Sequence, residues 1–361
     1  MFASRSYYGL ALLCIVILCV ATAASYGPTL QFTDSYDWIM EEHESTIVIG
    51  HEEDPEDRFF GDLADVLVHD DQIYTLDRDK YQLAVDAMTG ERVYESGTRG
   101  QGPGEFMAPS RLFTTPDGRV GVLEGNGRQS FFTTQAHASG AFDFNKAERL
   151  LSSTMVSDIC FSGETVYAYL RPLYASDDED IQHVLIRKAP PYDTPDHFGK
   201  MPDYLDDFDP MFHSVMIAGH LHCMEDGWVI ADHMYLNEMD VYKDGLHQRT
   251  ISFPDVTPTE LSVKTIDGGP HVGIGAPGTH ALASMITLEG DDILVQYAYR
   301  PADWNPHGEH SPITYDTYVV NVENGMVASL GTTDRVFHFV DSDGYVAEQP
   351  DPFPTIHIVD R

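Results

Sequence analysis

The chain has 361 residues, 42% of them hydrophobic, enough for two average domains or one large all-β unit. Its 58 acidic residues face only 21 basic ones, a formal net charge of −37. A field of that sign repels phosphate backbones and anionic bilayers, so the composition excludes nucleic-acid binding. The acids run along the whole chain rather than forming a tail, and Arg outnumbers Lys. This pattern predicts a salt-adapted, halophilic surface, with a folding stability that rises steeply as salt is added.

In chain order, residues 1–24 read as an export signal. Arg5 supplies the positive start, residues 9–20 an apolar run, and Ala21-Thr22-Ala23 a small-residue cleavage site. The apolar run is shorter than the ~20 residues of a spanning helix, so no membrane attachment is expected after cleavage; an uncleaved anchor is the alternative. The protein is expected in the periplasm or outside the cell. Residues 25–45 form a lead-in, and 46–361 the folded unit.

From residue 64 onward one unit recurs six times. Its turn pairs are Asp70-Asp71, Asp117-Gly118, Gly163-Glu164, Asp226-Gly227, Asp291-Asp292 and Asp343-Gly344. The strands that follow carry Ile73, Val120, Val166, Val229, Ile293 and Val346, spaced 46 to 64 residues apart. Such pairs accept the positive φ of a tight hairpin, and alternating apolar residues follow them. Before each turn lies another β-prone run, at 64–68, 112–115, 156–161, 220–224, 284–288 and 336–340. Units of this length with four short strands predict propeller blades. The sixth unit has room for three strands only, and the run 46–49 is expected to complete it, closing a six-bladed ring.

The junction Gly100-Gln-Gly-Pro-Gly-Glu-Phe106 with Pro109, then Asp117-Gly118-Arg119-Val120, resembles the NHL repeat, whose pattern is Gly-x-Gly-Pro-Gly-x-Phe…Pro followed by Asp-Gly-x-Ile/Val. The whole chain resembles exported bacterial six-bladed β-propellers bearing that motif. The match is good at the first junction, and elsewhere only turn and strand remain. Peptide-amidating lyases share the resemblance and take zinc through a His after the motif's Pro. Here Ser110 follows Pro109, which argues against that chemistry.

Cys14 and Cys19 leave with the signal, while Cys160 and Cys223 enter an oxidising compartment where a disulfide is permitted. Each stands six residues before an equivalent Val, Val166 or Val229. Equivalent positions on neighbouring blades are expected to lie too far apart for a bond, which predicts two buried free thiols.

The sharper catalytic signatures are missing: no G-x-S-x-G, H-E-x-x-H, P-loop, C-x-x-C or EF-hand spacing occurs. Softer clusters remain. His220 and His222 alternate on one strand and so share a face, where both could reach one zinc ion; Asp232-His233 stands on the next strand. Inner-strand rows read Ala64, Arg111, Ser157, His220, Ser284, Phe337 and Asp65, Leu112, Asp158, Leu221, Met285, His338. Their polar members suggest a ligand site built on Arg111, Asp158, His220 and His338, with Asp65 beside them, or a set of groups that satisfy one another. Acidic runs at 177–180 and 206–209 could hold calcium. Insertions at 177–181, 190–213, 254–280 and 300–312, the last holding Trp304, His307 and His310, are either binding loops or solvated decoration.

The first functional reading is an exported, monomeric binding module for a protein partner or small ligand, taken on the face that bears the long insertions of units three to five. The alternative is a metal-dependent hydrolase or lyase with zinc or calcium at the central channel. A structural component of a surface assembly is the third.

Overall fold

The structure, a computed structural model, describes residues 35–51, 54, 58–133, 143–148, 155–171, 183–190, 196–203, 217, 219–266, 269–274, 278–303, 311–350 and 353–361. Six antiparallel four-stranded sheets form six blades. Their innermost strands are Leu63–His69, Pro109–Thr114, Met155–Ser162, Gly219–Cys223, Thr279–Thr287 and Val336–Val340. Each touches the next, and the sixth touches the first, so the ring is closed.

Turn chemistry sets this geometry locally. Asp70 and Asp71 take φ of 51° and 56°, and Asp226-Gly227 takes 62° and 83°. These left-handed values match the twist of the flanking strands and tolerate Asp and Gly. The core lies between blades, where alternate side chains of neighbouring sheets interdigitate. Between the first two blades Tyr74, Leu76, Phe106, Leu112, Val122 and Phe132 form one such cluster. Phe106 comes from the Gly/Pro-rich junction. Its amide donates to the Thr98 carbonyl at 2.9 Å, and its carbonyl accepts from the Gly100 amide at 3.0 Å. The motif thus folds a loop tightly enough to insert its aromatic ring between two sheets, a burial worth roughly 2–3 kcal/mol.

The sixth blade takes Val336–Val340, Gly344–Gln349 and Thr355–Asp360 from the carboxyl end and Ile47–Ile49 from the amino end. In the latter pairing Ile47 stands opposite Ile358 and Ile49 opposite Ile356. Ile49 is fully buried with Phe60, Ile73, Val346 and Ile356.

Cys160 and Cys223 are joined by a disulfide with a Cα–Cα distance of 5.6 Å, which corrects the expectation of free thiols. Neighbouring innermost strands converge on the ring axis, so equivalent positions there come within bonding reach. Another difference lies in the Gly/Pro-rich insertion after the fourth blade. It contains a hairpin, Leu261–Ile266 paired with Gly269–Ile274. Among the described residues, no helix is long and apolar enough to cross a membrane.

Candidate functional site

All six innermost strands line a cavity of ≈ 390 Å³ on the ring axis. Asp65, Arg111, Asp158, His220, His222, Ser284 and His338 contribute its polar groups, and Phe113, Phe161, Phe339, Leu282 and Met285 are among its apolar ones. A single unpaired residue interrupts five of the innermost strands: Ala64, Ser110, Ser157, Ala283 and His338. Such bulges bend the strand and re-aim the side chain that follows. That next residue is Asp65, Arg111, Asp158 or Ser284 in four blades. Arg111 stands level with Asp65 and Asp158, one position from where the repeat spacing places it, because the second blade's hairpin, with Thr114 opposite Val120, is one residue longer than those of the first and third blades. Of the sequence-derived rows, Ala64, Ser157 and Phe337 do not line the cavity.

The two aspartates bind neighbouring strands. Asp65 accepts the amides of Val66 at 2.9 Å and of Leu112, in the next blade, at 2.8 Å. Asp158 repeats this with Ile159 at 2.8 Å and Leu221 at 2.8 Å. In the fifth blade Gln296 takes the part, accepting the Phe337 amide at 2.7 Å. Carboxylates so bonded fasten alternate blade pairs from the inside, each charge-assisted bond being worth about 2 kcal/mol.

Arg111 lies between them. Its Nη1 is 3.9 Å from Asp65 Oδ1, an ion pair too long for a hydrogen bond. Its Nη2 donates to His220 Nδ1. A guanidinium can only donate, so Nδ1 is unprotonated, and the Asp158 oxygen 3.7 Å from it is a charge neighbour only. Burial and the Arg111 charge both push the His220 imidazole below its usual range. Burial raises Asp65 despite Arg111, whereas for Asp158 the Arg111 charge and the Leu221 amide outweigh burial and hold the carboxyl low.

His222 faces the same cavity but bonds Thr287 Oγ1 at 2.8 Å, and burial pushes it down to about 4. His338 donates to Glu348 Oε2 at 3.3 Å. Asp232 and His233 do not line the cavity. His233 Nε2 donates to Asp240 at 3.2 Å, leaving Nδ1 to accept from the Tyr169 hydroxyl at 2.8 Å. Asp232 accepts from the Tyr297 hydroxyl at 3.2 Å; its second oxygen is buried without a partner among the described residues, and burial pushes the carboxyl up to about 7. The partners Gln296, Thr287, Glu348 and Tyr297 carry no sequence signal, being ordinary polar residues on second strands or neighbouring blades.

Among the described residues, no group of three or more His, Cys, Asp or Glu is arranged to hold a metal ion. The acidic runs 177–180 and 206–209 and the residues Trp304, His307 and His310 lie outside the described residues.

A six-bladed all-β propeller with a polar-lined axial cavity is therefore the class that fold and cavity define. No family profile matches the chain, and no curated protein matches it. It is similar in fold to a candidate exported protein of Bacteroides fragilis, with TM-score 0.52 and 12% identity over 85% of this chain and 86% of that one. A DUF4221-family protein of Bacteroides vulgatus gives TM-score 0.56 and 8% identity over 88% and 97%. The WD40 repeats of RRP9 give 0.50 and 8% over 89% and 99%. At these identities the likeness is one of fold.

Proposed function

We propose that the protein is an exported binding module that takes a small polar ligand at the mouth of its central channel, with no catalytic step assigned. Export is supported by the signal-like residues 1–24, by the Cys160–Cys223 disulfide, and by the Bacteroides neighbour of exported type. An NHL-like ancestry for the blades is supported by the 100–109 junction alone. The observation that carries the binding reading is the cavity itself: Arg111, Asp65, Asp158 and His220 come from four blades to one level of a space large enough for a small molecule. A metabolite library screened by thermal shift and confirmed by calorimetry tests it. At least one compound is expected to bind and to be lost in Arg111→Met; a folded protein with no hit refutes the reading.

A zinc-dependent hydrolase or lyase is the competing reading, favoured by two neutral imidazoles, His220 and His222, on one cavity wall. The Arg111 guanidinium at His220 Nδ1 opposes a cation there. Elemental analysis of the purified protein decides between them: one equivalent of zinc, released by His220→Ala with His222→Ala, would favour the enzyme.

A further inference from the structure

We infer that the channel ligand is a neutral, hydroxyl-rich molecule of the mono- or disaccharide class, held by Arg111 together with Asp65 and Asp158; this rests on the binding reading above. The first ground is hydrogen-bond satisfaction. A guanidinium carries five N–H donors. Arg111 uses Nη2 for His220 and holds Asp65 only at 3.9 Å, so among the described residues its other donors face the cavity unengaged. The carboxylates are in the opposite condition. Each oxygen of Asp65 and Asp158 accepts one backbone amide and keeps a further lone pair. A ligand that completes this site must accept from the guanidinium and donate to the carboxylates within one small span. A hydroxyl does both.

Charge narrows the class further. A unit charge 4 Å from another, near a protein surface, interacts by about 4 kcal/mol. An anion would gain that from Arg111 and lose it to Asp158 and Asp65, inside a protein of net charge −37. A cation would be drawn by the carboxylates but would face the guanidinium and leave its N–H groups without an acceptor. The guanidinium, 3.9 Å from Asp65 and a charge neighbour of Asp158, offsets one of the two carboxylate charges. His220 and His222, both pushed down, contribute neutral donors and acceptors. A neutral ligand meets no net opposition.

The cavity also fits in shape and polarity. Its ≈ 390 Å³ stands at the small end of the ~300–1,000 Å³ range of ligand pockets. Phe161 and Phe339, both partly exposed, and Met285, contributed by three different blades, offer apolar surfaces against which the C–H face of a sugar ring can lie.

The test uses the mature, disulfide-intact protein in salt. Calorimetry and saturation-transfer NMR are run with a panel of neutral mono- and disaccharides, with acetate and benzoate, and with putrescine. The expected result is binding by at least one sugar, with an affinity unchanged across a tenfold range of ionic strength because no net charge is transferred. Arg111→Met and Arg111→Lys, each confirmed folded by an unchanged circular dichroism spectrum, should weaken it about tenfold or more, since Lys keeps the charge but loses the fork. Sugar binding that survives both variants would place the sugar elsewhere and overturn the inference. Binding of a carboxylate or of putrescine alone, with salt-dependent affinity, would overturn the ligand class and leave the binding reading standing. Failure of every probe, alongside an empty library screen, would overturn both.

Discussion

The Cys160–Cys223 bridge closes a loop of sequence separation 63 between two adjacent innermost strands. Removing it acts chiefly on the unfolded chain, whose loop-closure entropy predicts a loss of about 4 kcal/mol. The folded state has other fastenings at the same seam. Leu221 N donates to Asp158 at 2.8 Å, and Ser162 Oγ donates to the Met224 carbonyl at 2.7 Å while accepting the Gly227 amide at 2.9 Å. The reduced protein, and the pair Cys160→Ala with Cys223→Ala, should therefore keep the native circular dichroism spectrum. Urea unfolding at fixed salt measures the loss. With a slope of roughly 3 kcal/mol per molar, the midpoint should fall by about 1 M or slightly more. A shift equivalent to less than about 1 kcal/mol would refute the entropic reasoning. Recovery of two labelled thiols from the unreduced, unfolded protein would refute the bridge itself.

The internal fastenings, the sixth blade and the cavity-facing imidazole of His222 make separate predictions. Asp158→Ala removes the acceptor of two amides and the counter-charge of Arg111, and should cost about 3 kcal/mol; Asp158→Asn, which keeps one oxygen, should fall between it and the native protein in thermal melts. Ile49→Ala should cost about 3 kcal/mol because its side chain is fully buried, whereas the half-buried Val48→Ala should cost under about 1; equal losses would contradict the packing. His222 is pushed down from 6.5 to about 4, so its stabilising effect is complete above pH 6.5 and is lost as pH falls towards 4, by up to about 3 kcal/mol. His222→Gln should flatten stability across that window, and an unchanged pH profile would exclude His222 as its source.

The blades are legible in the sequence because positive φ is a demand few residues meet. Asp70-Asp71, Asp117-Gly118 and Asp226-Gly227 mark hairpins whatever surrounds them, and the alternation after each gives the strand. The hairpin Leu261–Ile266 with Gly269–Ile274 is hidden by the Gly and Pro around it, although its first strand alternates Leu261, Val263 and Thr265 with polar or apolar neighbours. The disulfide is hidden for a geometric reason. Six residues before a shared Val is a statement about equivalence along the chain, and its meaning as a distance depends on how near the ring axis the strand runs. At the innermost strands the separation is 5.6 Å between Cα atoms; on outer strands the blades splay apart.

The site carries the same lesson at a finer scale. Spacing from the turn places Arg111 beside Ala64, but the second blade's hairpin, with Thr114 opposite Val120, is one residue longer than those pairing Val68 with Ile73 and Phe161 with Val166, and this sets Arg111 level with Asp65 and Asp158. Side chains alternate with period two, so a single bulge decides whether a residue meets the cavity or the seam between sheets. Five of the six innermost strands carry such a residue, and nothing in Ala64, Ser110, Ser157, Ala283 or His338 as residue types announces it. The polar set was therefore readable as a list and not as an arrangement. What the arrangement adds is a division of labour. The aspartates face the axis and fasten the next blade through its amides while keeping lone pairs toward the cavity, and Arg111, standing between them and bonded to His220, has further donors that no described residue engages.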